Sequence, residues 1–112
     1  MGSLDPAALK NLHEMVGGDA EFVAELITTY LEDAPQMLTD MQSGDVTLAL
    51  RAAHSLKSNS AEFGAHALSD MCQELETMCK AGTLAGTDDL VGRINAEYVQ
   101  VKAELEIARQ NL

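Results

Sequence analysis

Apolar side chains recur at i, i+3 and i+4 spacing along almost the whole of this chain, and the pattern breaks only where Gly and Asp cluster. That spacing matches a helical period of about 3.6 residues and nowhere settles into the alternation of a half-buried strand. The sequence therefore predicts an all-α fold. Asp5 before Pro6 reads as a cap with proline in the first turn, opening a short helix through Met15 that ends at Gly17 and Gly18. Asp19 caps a second helix to about Met41, whose stripe is Phe22, Val23, Leu26, Ile27, Tyr30 and Leu31. Pro35 lies inside it, which predicts a kink near Leu31 or, alternatively, two shorter helices. Ser43, Gly44 and Asp45 turn the chain into a third helix from Val46 to about Phe63, which Gly64 breaks. A fourth runs from Ala65 to Ala81 with Gly82 as its stop, and Leu90, Ile94, Tyr98, Val101, Leu105 and Ala108 define a fifth.

Four long helices on short loops predict an antiparallel four-helix bundle, with the short N-terminal helix as a lid over one end. At 112 residues the chain has room for one core, so residues 1–112 read as a single domain. A hydrophobic fraction of 46% excludes a disordered chain. Net charge excludes more. At -11 the surface repels phosphate backbones and anionic lipid, so neither nucleic acid nor a membrane surface is an expected partner. No apolar run approaches the ~18 residues of a membrane span, and Met1-Gly2-Ser3-Leu4-Asp5 lacks the blocks of a signal peptide; the expectation is a cytoplasmic protein. Cys72 and Cys79, about 10.5 Å apart along a helix at ~1.5 Å per residue, are too distant to bridge and read as reduced core thiols.

One residue stands outside the core pattern. On a wheel of the third helix, Ala49, Ala52, Ala53, Leu56, Ser60 and Phe63 share a sector, and His54 points almost the opposite way. Its face also carries Leu50, Arg51, Lys57, Ser58 and Ala61. The small Ser58 and Ala61 leave the ring uncovered, and Arg51 with Lys57 makes a positive spot on an acidic surface. A neutral imidazole has one ring nitrogen with a free lone pair, which makes it a competent nucleophile toward phosphorus. The charge of about -2 that a phosphoryl group adds would be partly offset by Lys57 at i+3. Composition and spacing alone favour an ordinary surface histidine, because these are common.

The string His54-Ser55-Leu56-Lys57-Ser58-Asn59-Ser60-Ala61-Glu62-Phe63-Gly64-Ala65 resembles the signature of histidine-containing phosphotransfer (HPt) domains, in which His, Leu, Lys, a small residue and Gly-Ala stand at fixed offsets. The Leu4-Asp5 opening, the Asp19-Ala20-Glu21-Phe22 helix start and the Cys72-Gln73-Glu74-Leu75-Glu76 run are also similar to that family. The resemblance implies a phosphorelay intermediate: a phosphocarrier rather than an enzyme, taking a phosphoryl group from the aspartate of one receiver domain and passing it reversibly to another. Its implied partners are response-regulator receiver domains and a sensor histidine kinase, hybrid or not. It implies no cofactor or metal of its own, since Mg2+ sits in the receiver. His54 would be the acceptor through its outer ring nitrogen, and Lys57 would steady the phosphoryl oxygens. Leu50, Arg51, Ser58 and Ala61 would form the binding face, and Gly64 would end the helix. Many members have glycine where this chain has Ser58, whose hydroxymethyl is still small. Glu76 falls where a polar residue often faces the histidine; it either bonds the inner ring nitrogen or is a solvated edge residue.

Other groups take plainer readings. His13 and His66 read as structural, and no ligand set with metal-site spacing is present. The six methionines read mostly as core filler. Arg93, Lys102 and Arg109 read as solvated partners of Glu97, Glu104 and Glu106. A histidine-kinase dimerisation hairpin also presents a histidine, but it usually has an acidic residue where Ser55 stands, and the chain has no Gly-rich nucleotide loop. The alternative function is a non-catalytic helical adaptor bundle that binds receiver or kinase domains. With no spare apolar face in the pattern, a monomer is expected.

Overall fold

The computed structural model describes residues 2–112; Met1, read above as one of the core-filling methionines, lies outside them. Five helices and no strand occur among the described residues: α1 (Pro6–Met15), α2 (Ala20–Met41), α3 (Val46–Glu62), α4 (His66–Lys80) and α5 (Asp88–Gln110). Aspartates start the first three as expected. Asp5 accepts from the Ala7 N–H and Asp19 from the Phe22 N–H, while one oxygen of Asp45 takes both Thr47 and Leu48 N–H groups at 2.9 and 3.2 Å. Each satisfies donors that a helix start leaves without a partner.

α2 packs on α3, α3 on α4, α4 on α5 and α5 back on α2, which closes a ring of four long helices. α1 lies against α2 and α3. The side that α3 turns inward is built from Ala49, Ala52, Ala53, Leu56 and Ser60, small enough for close approach of its neighbours. Leu68, Cys72, Leu75 and Cys79 meet it from α4, and Ile94, Tyr98, Val101 and Leu105 of α5 complete the core between α4 and α2. Ser60 is the polar exception inside, and the Tyr30 hydroxyl bonds its Oγ at 2.8 Å. Tyr30 also meets the Phe63 ring edge-on at a centroid distance of 5.2 Å. Both cysteines are free and buried, and burial pushes the Cys72 thiol up to about 12, so it stays protonated at neutral pH.

α2 stays one helix of 22 residues through Pro35, which removes the two-helix alternative. Proline costs it the N–H that Leu31 would have received, but Ala34 and Leu38 on either side are buried and hold the turn in place. Two core expectations fail. Phe22, beside the Asp19 cap, is 44% exposed, and Met15 in the last turn of α1 is 81% exposed, so neither fills the core. The basic residues of α5 are not simple partners of neighbouring glutamates. Arg93 reaches Glu74 on α4 at 3.4 Å and lies 4.0 Å from Asp89, and Arg109 donates to the Thr28 hydroxyl on α2 at 3.0 Å. Glu104 accepts the Ser3 and Leu4 N–H groups, each at 3.0 Å, and so ties the N-terminal segment to α5.

Gly64 is where that segment meets α3. Its φ is +74°, and a Cβ built there would sit 2.6 Å from the Ala8 Cβ and 2.8 Å from the Asp5 Cβ. The Asp5 N–H also donates to the Gly64 carbonyl at 3.0 Å. Glycine is required here for its left-handed backbone and for the approach of α1.

Candidate functional site

His54 lies midway along α3, two residues before Leu56, which is fully buried, and its own side chain is 61% exposed. Helix periodicity alone accounts for this pairing of an anchored leucine and a free imidazole. The ring is nevertheless not loose. Its Nδ1 lies 3.1 Å from Oε2 of Glu76 on α4. Glu76 is only 5% exposed, and its other oxygen accepts from the Lys57 ammonium at 2.7 Å. Lys57 donates again to Gln73 Oε1 at 3.0 Å, and Lys80, one turn beyond Glu76, approaches Oε2 to 3.4 Å.

Three side chains from two helices, His54, Lys57 and Lys80, thus converge on one carboxylate. Lys57 holds the Glu76 carboxyl down to about 2, against the opposing pull of burial, with His54 and Lys80 adding to the lysine's effect. Glu76 is therefore an anion at any physiological pH. An anion can only accept, so the ring nitrogen facing it carries the proton: Nδ1–H donates to Oε2. In the neutral ring the lone pair is then on Nε2, the atom that faces away from Glu76. A second bond between the helices, from the Ser69 hydroxyl to the Lys57 carbonyl at 3.0 Å, fixes α4 beside this stretch of α3.

Beside the ring is a depression of about 420 Å³ lined by Leu50, Arg51, His54, Ser55, Glu76 and Lys80. The structure thus brings Leu50 and Arg51 to His54 as the sequence predicts, and of the two readings open for Glu76 it shows the bond to the inner ring nitrogen. Ser58 and Ala61 remain exposed on α3 but lie outside the depression, and Gly64 serves the α1 contact at the helix end. The sequence reading missed Lys80 and Gln73. Their signal was an i+4 and an i−3 offset from Glu76, which carries information only once Glu76 is known to face α3. The other histidines are structural: His13 Nε2 bonds the Gly18 carbonyl at 2.9 Å, and His66 pairs with Asp5 at 3.2 Å. Among the described residues no group of three or more His, Cys, Asp or Glu could hold a metal ion.

The family model for the Hpt domain matches residues 25–110. The chain belongs to the Hpt domain family. Among characterised relatives, it is 33% identical over 108 residues to the phosphorelay protein LuxU of Vibrio vulnificus, covering 94% of each chain. It is 24% identical over 105 residues to histidine-containing phosphotransfer protein 2 of Arabidopsis thaliana; that match covers 88% of this chain and 66% of the plant protein. The crystal structure of histidine-containing phosphotransfer protein B from Pseudomonas aeruginosa PAO1 superposes with a TM-score of 0.87 at 27% identity, over 99% of this chain and 97% of that one. In this Hpt domain the 25–110 match takes in the motif helix and its α4 partner, so the converging side chains lie within the matched region.

Proposed function

We propose that this Hpt domain is a phosphorelay intermediate whose phosphoryl acceptor is Nε2 of His54. The supporting observation is the Nδ1 bond to Glu76, which leaves the reactive nitrogen outward and unprotonated. The Nε2 lone pair attacks the phosphorus of a receiver's aspartyl phosphate. The N–P bond forms as the acyl P–O bond breaks, and the electron pair leaves with the aspartate oxygen. In the return step the N–P bond breaks, its pair goes back to Nε2, and a carboxylate oxygen of the next receiver takes the phosphorus. Nδ1 keeps its proton throughout, so neither step needs a general base. Glu76 balances the positive ring that exists while the phosphoryl group is bound.

Lys57 contributes charge next to the transferring oxygens through its remaining N–H, while the other two hold Glu76 and Gln73. Leu50, Arg51, Ser58 and Ala61 form the docking face for response-regulator receivers and for the receiver of a hybrid sensor kinase. Residues 1–112 act as one unit, as a monomer in the cytoplasm, with no ATP site, autokinase activity or metal of its own. No helix among the described residues is long and apolar enough to cross a membrane.

The test is transfer from a phosphorylated receiver to the purified protein, followed as acid-labile, base-stable label. Wild type should take label and His54→Gln should take none. Label on the Gln variant, or none on wild type with every receiver of the source organism, would leave the adaptor reading in its place.

A further inference from the structure

Three of the chain's seven Lys and Arg residues, Arg51, Lys57 and Lys80, gather at His54, and the three are not equivalently engaged. Lys57 is 24% exposed and spends two of its three N–H donors on short bonds, to Glu76 Oε1 and Gln73 Oε1. Lys80 is 63% exposed and has one long contact of 3.4 Å to Glu76 Oε2. That oxygen is the one that also accepts from His54 Nδ1–H. Lys80 also lines the depression beside the imidazole, whereas Lys57 does not.

We propose that Lys80 is a second cation for the transferred phosphoryl group and that it reaches it by exchanging partners. Building on the relay reading above, the resting state has Lys80 sharing Oε2 with the ring. When the phosphoryl group forms on Nε2, its negative oxygens outcompete a carboxylate whose Oε1 is already bonded to Lys57 and whose Oε2 is bonded to His54. The exposed four-carbon stem of Lys80 lets the ammonium swing into the depression. Its departure leaves Oε2 to Nδ1–H alone at the moment the ring becomes positive, so one movement stabilises both ends of the phosphoimidazole. Lys57, fixed by two short bonds, has less freedom to do this.

The experiment is single-turnover transfer from a phosphorylated receiver to wild type, Lys80→Ala, Lys80→Gln and Lys80→Arg, with receiver concentration varied to separate the limiting rate from half-saturation. Removing an exposed cation from the transition state should lower the limiting rate about tenfold in the Ala and Gln variants, roughly the loss of one modest charge-assisted contact. Arg should restore most of it. The 15N spectrum of the His54 ring in unphosphorylated Lys80→Ala should still report a proton on Nδ1. A wild-type limiting rate in Lys80→Ala, or a change confined to half-saturation, would overturn the proposal, the latter because it assigns Lys80 to docking alone. A change of ring tautomer in Lys80→Ala would overturn it too, since the lysine would then act through Glu76. If wild type takes no label at all, the relay reading is what fails; if wild type labels and only the Lys80 results disagree, that reading stands.

Discussion

At the residue scale, Glu76 decides the site. Its ionised form is bound by Lys57, His54 and Lys80, which lowers its titration from the ordinary value of 4.5 to about 2. A carboxyl whose titration is depressed on folding adds stability above its unfolded value and loses it as pH falls through the folded value. Glu76 therefore stabilises the fold fully above about pH 4.5, and that contribution disappears toward pH 2. In urea titrations, wild type should lose stability more steeply than Glu76→Gln between these limits; parallel pH curves would show that the carboxylate carries no such linkage. Lys57→Ala should slow transfer at least tenfold while lowering stability by about 1 kcal/mol, because its bonds orient the carboxylate more than they hold the fold. Gly64→Ala is the opposite kind of change. It forces a side chain into a left-handed backbone and against Ala8 and Asp5, and should cost about 2 to 3 kcal/mol in chemical denaturation. A loss under 1 kcal/mol would mean that α1 moves aside freely.

At the element scale, the relation between α3 and α4 separates what the sequence could tell from what it could not. Periodicity along one helix is a local property. It was enough to place His54 outside and Leu56 inside, to find Asp5, Asp19 and Asp45 as caps, and to set Gly64 as the break. Register between two helices is not local. Nothing in α4 alone says that Glu76 faces the imidazole rather than water, so the wheel left both readings open. Gln73 and Lys80 stay invisible for the same reason, and periodicity pairs Arg93 within its own helix, where Asp89 lies 4.0 Å away, although its shorter contact is to Glu74 on α4. Met15 and Phe22 belong to apolar stripes but lie at helix ends and stay exposed. The buried anchor of α3 is also a matter of register: Ser60→Ala would leave the Tyr30 hydroxyl inside without a partner. It should cost about 1 to 3 kcal/mol by equilibrium unfolding, and Tyr30→Phe in the same background should recover part of that, as both polar ends are then gone.

At the scale of the whole molecule, the distribution of charge outweighs its sum. The chain has a net charge of -11, yet three of its seven Lys and Arg residues gather where His54 sits. The excess of like charge opposes compaction, and counter-ions relieve it: the Debye length falls from about 30 Å at 0.01 M salt to about 3 Å at 1 M. The thermal midpoint should therefore rise by a few degrees as NaCl goes from the low to the high limit, and a fall in differential scanning calorimetry would show that local ion pairs dominate instead.

The proposed acceptor is a single nitrogen in the middle of α3, with α4 guarding its other side. Two visitors cannot both stand over it, so donor and recipient must take turns as at a turnstile. Steady-state traffic through the domain should then give parallel double-reciprocal lines, and an excess of the discharged donor should jam it.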